Sequence, residues 1–199
     1  MPKPWTGAAI AVQVRLRPMS HSAVPRRPLT EPGRFRIKQA APEQLAEAAA
    51  VKARAWRESY PFSEEVFEQV DRAVAGTAEA WDQDSRQGNY FWIVVDSAHD
   101  SEVVGVAHAR VSDRPDAPTP LELAMIYLLD VAKGSGIADR LMEVTIGDSP
   151  AHLWVLEGNE RAISFYRRHG FVEDGARHML GGPLADRAEI RMVRGVEQP

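Results

Sequence analysis

The 199-residue chain contains no cysteine, which excludes a disulfide framework, a thiolate-ligated metal centre and a cysteine nucleophile. No apolar run approaches the roughly 18 residues of a membrane span. The short run at residues 8–12 is ended by Gln13 and falls below the length of a signal peptide's apolar core. The six histidines show no metal-ligand spacing, and no Gly-x-Ser-x-Gly elbow supports serine hydrolysis. A basic surplus is also missing. The net charge is −4, and residues 1–33 carry five basic side chains against Glu31 alone, so the rest of the chain is more acidic than the total. Such a body argues against nucleic-acid binding, which relies on Lys and Arg displacing counterions. It is compatible with steering a cationic substrate. The expectation is a soluble, cytoplasmic protein without membrane attachment, bound metal or nucleic-acid partner.

Residues 1–33 hold six of the 14 prolines and show neither helix nor strand period. They are expected to be a flexible extension, with residues 34–199 forming one domain. Arg34-Phe35-Arg36-Ile37-Lys38 alternates with period two and predicts a half-buried strand. An alanine-rich helix is expected from Pro42 to about Tyr60, where Pro61 stops it, followed by a less regular helical region over residues 63–87. Residues 90–95 read as a buried strand by composition, joined through a turn to a second strand over 102–111. Residues 121–129 have almost no polar face and predict a central strand covered on both sides. A helix over 137–146 and a strand over 152–156 follow. Asn159 then caps a helix that Gly170 ends. Two short strands, near 171–173 and over 188–194, close the pattern. The whole describes an α/β domain with a mixed, mostly antiparallel sheet and helices on its faces.

Two segments carry chemistry. Lys133-Gly134-Ser135-Gly136-Ile137-Ala138 stands between a buried strand and a helix start. The first helical turn leaves backbone N–H groups without partners, the dipole adds positive character, and small residues admit a phosphate. A tight connection with no ligand is the alternative use of such a turn. Neither a P-loop nor a dinucleotide fingerprint fits, since Gly-Lys-Ser/Thr and the third glycine are both absent. In the second segment, Asn159 and Tyr166 are seven residues apart and share one helix face, about 10.5 Å apart along the axis.

Together these segments resemble the GNAT superfamily of acyl-CoA-dependent N-acetyltransferases. Lys133-x-x-Gly136-x-Ala138 is similar to the family's Gln/Arg-x-x-Gly-x-Gly/Ala, and Asn159 followed by Tyr166 and Gly170-Phe171 is similar to its second motif. The resemblance implies about four helices around the sheet and a splay between the fourth and fifth strands. It implies acetyl-CoA as co-substrate and direct attack by a primary amine of a small molecule or peptide, with a homodimer compatible. It further implies that Leu128, Leu129 and Val131 give backbone contacts to the pantetheine arm. Lys133, Gly134, Ser135, Gly136, Ile137 and Ala138 would hold the diphosphate, and Asn159 a pantetheine amide or a water. Tyr166 would protonate the leaving thiolate. Glu122, the one acid in the central strand, is the candidate base, because the family's usual glutamate position, five residues before the Asn, is Trp154 here. Trp56, Tyr60, Phe62, Trp81 and Trp92 are candidates for an acceptor pocket. An acyl-CoA-binding regulator of the same fold without catalysis is the alternative.

Overall fold

The computed structural model describes residues 27–196. Its elements are β1 (Phe35–Gln39), α1 (Leu45–Ser59), α2 (Glu64–Arg72), α3 (Val74–Arg86), β2 (Phe91–Asp96), β3 (Glu102–Val111), β4 (Leu121–Leu128), α4 (Ile137–Ile146), β5 (Ala151–Leu156), α5 (Glu160–Arg168), β6 (Val172–Met179) and β7 (Ala188–Arg194). The strands form one sheet in the order β1-β2-β3-β4-β5-β7-β6. Every neighbouring pair is antiparallel except β4 and β5, which run parallel.

Local sequence explains the layers. In β1, Phe35 is buried while Arg36 is exposed, as the alternation requires. Helix α1 turns Leu45, Ala48, Ala49, Val51 and Ala55 inward, and its small alanines let the backbone lie close to the sheet. Helix α4 buries Ile137, Leu141, Met142 and Ile146 at helical spacing. Two core clusters result. One centres on Phe91, Ile93, Val106 and Leu141, the other on Leu153, Ile163, Phe171 and Met192. Ile126 of β4 packs against both, so the seam between the clusters runs along that strand. There β4 and β5 share a single ladder pair, Glu122 with His152, and then separate.

The structure departs from the sequence-based expectation in three places. The helical region over 63–87 is two helices meeting at Ala73, near Gly76, a poor helix former, so the described residues hold five α-helices. Strand β6 extends to Met179 rather than ending near Glu173. It is almost wholly exposed, so no apolar alternation announces it; its ladder to β7 holds it, with a register shift between Glu173 and Arg177. Packed structure also begins before Arg34. Residues 1–26 of the expected extension lie outside the described residues. In the rest of it, Leu29 packs on the core and Thr30 N donates to Ser135 O at 3.1 Å. Among the described residues no helix is long and apolar enough to cross a membrane, and no group of three or more His, Asp or Glu is placed to hold a metal ion.

Candidate active site

The separation of β4 from β5 opens a cavity of about 530 Å³. Its walls include the consecutive residues 123–128 of β4 and 154–156 of β5. A strand that presents only one face to a cavity contributes alternate residues. Consecutive lining therefore means that the cavity runs along the strand edges, where the backbone groups of the ladder lose their partners.

At one end of this edge lies the glycine loop. Leu129 leads into a single 3-10 turn, Asp130–Ala132, and the chain then passes Lys133 and two glycines in left-handed conformation, Gly134 at φ +84° and Gly136 at φ +85°. Glycine adopts such values without steric cost. A Cβ on Gly134 would meet nothing within 4 Å, so one side of the loop is open. Lys133 Nζ lies 2.6 Å from Asp130 Oδ1 and donates to Ser59 Oγ at 3.1 Å. In the first turn of α4, buried Asp139 accepts from His169 Nε2 at 2.9 Å and from the backbone N of Arg27 at 3.3 Å. Burial pushes the His169 imidazole down, an effect that Asp139 partly opposes.

Further along, three phenols and a carboxylate meet. Tyr166 of α5 packs edge-on to Phe171, with centroids 6.0 Å apart, and borders the cavity. Its hydroxyl makes no hydrogen bond to another described residue. Burial raises its pKa far above the ordinary phenol value, and the nearby Tyr127 and Tyr60 phenols add to the rise. Burial likewise raises Tyr127 and Tyr60. All three are therefore neutral across physiological pH. The Trp56 indole N–H partly offsets the Tyr127 shift but lies outside hydrogen-bonding geometry. Tyr60 Oη accepts from Asn159 Nδ2 at 2.9 Å, while Asn159 Oδ1 caps α5 through Ala162 N at 3.1 Å. Glu189 comes from β7, opposite Leu156. Burial raises its carboxyl pKa above the usual carboxylate range, partly countered by His178. It has no hydrogen-bond or ion-pair partner among the described residues.

Of the residues singled out from sequence, the cavity brings together Leu128, Lys133, Gly134, Gly136, Ala138, Asn159 and Tyr166. The other five are placed elsewhere. Leu129 is fully buried, and its N–H is committed to Val104 O at 2.9 Å. Val131 points to solvent and Ile137 lies in the core. Ser135 bridges the loop internally, donating from Oγ to Ala132 O at 2.6 Å and accepting from Ile137 N at 3.3 Å. Glu122 stands where β4 and β5 still pair, and both of its oxygens accept from Arg110 at 3.1 Å; it does not line the cavity. Trp56, Tyr60 and Phe62 do line it, with Tyr60 and Phe62 stacked at 4.9 Å. Trp81 instead packs on Phe91 at 5.0 Å, and Trp92 packs against the core. Sequence reasoning missed Tyr127 and Glu189. Glu189 left one signal, the lone acid in a closing strand of apolar and basic residues.

Asn159→Ala removes the α5 cap and the Tyr60 bond together. A loss of about 0.5–2 kcal/mol is expected from the cap, read as a lowered midpoint in thermal denaturation. An unchanged midpoint would show that the cap carries no stability.

Residues 87–173 match the family model described as an acetyltransferase (GNAT) domain. Solved structures share the fold. The PaiA N-acetyltransferase of Thermoplasma acidophilum, in complex with coenzyme A, superposes with a TM-score of 0.58 at 18% identity, covering 81% of this chain and 98% of that one. The ribosomal-protein-S5-alanine acetyltransferase of Vibrio fischeri gives 0.58 at 16% identity, covering 82% and 94%. YjaB of Escherichia coli gives 0.59 at 17% identity, covering 80% and 96%. The family match runs from the end of α3 into β6 and the fold match spans the sheet, so this chain has the α/β GNAT fold of these acetyltransferases.

Proposed function

We propose that this protein transfers an acetyl group from acetyl-CoA to a primary amine by direct attack. The supporting observation is the single cavity that joins the glycine loop, along an unpaired strand edge, to the Tyr166 phenol. Its residues fit the coenzyme. The open edge of β4 near Leu128 suits an extended pantetheine arm that pairs like an added strand. The first turn of α4, whose N–H groups beyond Ile137 lack intrahelical acceptors, with Lys133 beside Gly134, Gly136 and Ala138, suits a diphosphate. Acetyl-CoA supplies the acetyl group as a thioester.

The chain's own groups then have distinct tasks. An alkyl amine of pKa about 10.4 arrives mostly as a cation, and Glu189, ionised above its raised pKa, takes its proton. A C–N bond forms as the C–S bond breaks. Tyr166, held neutral by burial, gives its proton to the departing sulfur, and the second proton that the nitrogen releases as the amide forms returns to the phenolate, so that one proton leaves overall through Glu189. Glu122, held by Arg110, is left out of this scheme. Trp56, Tyr60 and Phe62 wall the acceptor end, and with Glu189 they suit an ammonium-bearing small molecule or peptide. Holding amine and thioester in contact lowers the barrier by several kcal/mol, about 7–11 in the best-oriented model reactions.

A panel of amines assayed with acetyl-CoA for thiol release tests this reading. Turnover is expected with cationic amines. Coenzyme binding without thiol release from any amine would favour the non-catalytic alternative. The pH dependence tests Glu189. Because its carboxyl must be ionised to accept a proton, kcat/KM should rise with pH through a value above the ordinary carboxylate range. Glu189→Gln should abolish that acid limb; an unchanged profile would remove Glu189 from the base role.

A further inference from the structure

The segment that precedes β1 lies over the glycine loop. Thr30 N donates to Ser135 O at 3.1 Å, Arg27 N to Asp139 Oδ2 at 3.3 Å, and Leu29 packs on the core. Arg34, where the segment joins β1, binds Asp96 at 2.9 Å and Glu31 at 2.9 Å. The carbonyl oxygens of Pro28 and Arg27 lie 2.8 and 3.1 Å from where a Cβ of Gly136 would stand. One face of Gly136 is therefore already filled by backbone carbonyls. These are partial negative charges set against the positive end of α4, where phosphate oxygens would be favoured. Carbonyl and phosphate oxygens cannot share that volume.

We propose that residues 27–30 form a strap that occupies the diphosphate end of the cavity and competes with the coenzyme. The proposal rests on the acetyl-CoA reading of the site. While the strap is docked, the cleft still reaches Lys133, Gly134 and Ala138, but the face of Gly136 that would take phosphate oxygens is covered. Coenzyme binding then draws on the fraction of molecules with the strap displaced, and the apparent Kd rises by the inverse of that fraction. A strap docked in about nine of ten molecules weakens binding about tenfold.

Because the chain has no cysteine, a paired Thr30→Cys and Ser135→Cys substitution can form only the bond that locks the strap. A second variant, Leu29→Ser, removes the packing that docks it. Binding of acetyl-CoA and of S-acetylpantetheine, which lacks the nucleotide and diphosphate, is measured by calorimetry on the full-length chain. Oxidising the paired variant should weaken acetyl-CoA at least tenfold and leave S-acetylpantetheine within twofold, with reduction restoring both. Leu29→Ser should bind acetyl-CoA several-fold more tightly than the native chain. Acetyl-CoA affinities within twofold across locked, native and Leu29→Ser forms would overturn the strap, as would equal weakening of both ligands on locking. Weaker acetyl-CoA binding by Leu29→Ser would overturn it too, by showing that the segment helps to hold the coenzyme. If no form, including Leu29→Ser, binds acetyl-CoA, the coenzyme reading fails and the strap proposal falls with it.

Discussion

Tyr166→Phe is expected to lower kcat about 10²-fold or more while leaving the Kd for acetyl-CoA unchanged. General acid catalysis by a positioned side chain contributes 10²–10⁴-fold, and a 100-fold loss corresponds to about 2.7 kcal/mol of activation free energy. The substitution is unusually clean. The phenyl ring keeps its contact with Phe171, and no internal hydrogen-bond partner is left stranded, because the native hydroxyl has none among the described residues. A fall in kcat without loss of coenzyme affinity would thus report the missing proton. The pH profile adds a second check. Burial raises the phenol's pKa, so on the proposed mechanism the native protein should keep its activity past pH 10, where an ordinary tyrosine would ionise. Equal turnover by Tyr166→Phe would end the acid assignment.

Where the fold was legible, short-range signals carried it. Strand β2 follows from an apolar run and helix α4 from apolar residues at helical spacing, and the Asn159 cap follows from the chemistry of one side chain. The glycine loop was legible because its two left-handed positions, on either side of Ser135, call for glycine. What sequence could not carry depends on distant pairing. Strand β6 is exposed and polar, so nothing but its ladder to β7 reveals it. The proposed base is the sharper case. Glu122 looked exceptional as a lone acid in a central strand, but that view took no account of Arg110, twelve residues earlier on the neighbouring strand, whose guanidinium grips both its oxygens. Glu189 sits 67 residues beyond Glu122 and reaches the cavity only because β7 inserts between β5 and β6. The strap was missed for a similar reason. A proline-rich segment without periodicity gives no sign of where it docks, and its partners Ser135 and Asp139 lie more than 100 residues away.

Gly136→Glu should reduce acetyl-CoA affinity by more than 10²-fold, with S-acetylpantetheine affected far less. Three effects act together. A side chain at φ +85° pays about 1–2 kcal/mol for the left-handed backbone. Its Cβ would stand 2.8 Å from Pro28 O, forcing the strap away. Its carboxylate would then face the diphosphate, and each pair of like charges about 4 Å apart costs between about 1 kcal/mol in water and 4 kcal/mol near a protein surface. The first two effects change the loop whether or not a coenzyme binds there. The third acts only on an anionic ligand. Gly136→Asn separates them, since Asn tolerates the left-handed region and carries no charge. It should displace the strap as the glutamate does, and so bind acetyl-CoA at least as tightly as the native chain. Loss of acetyl-CoA confined to the glutamate variant would locate the diphosphate at this loop by charge alone. Native affinity in Gly136→Glu would mean that the coenzyme, if it binds, lies somewhere other than against α4.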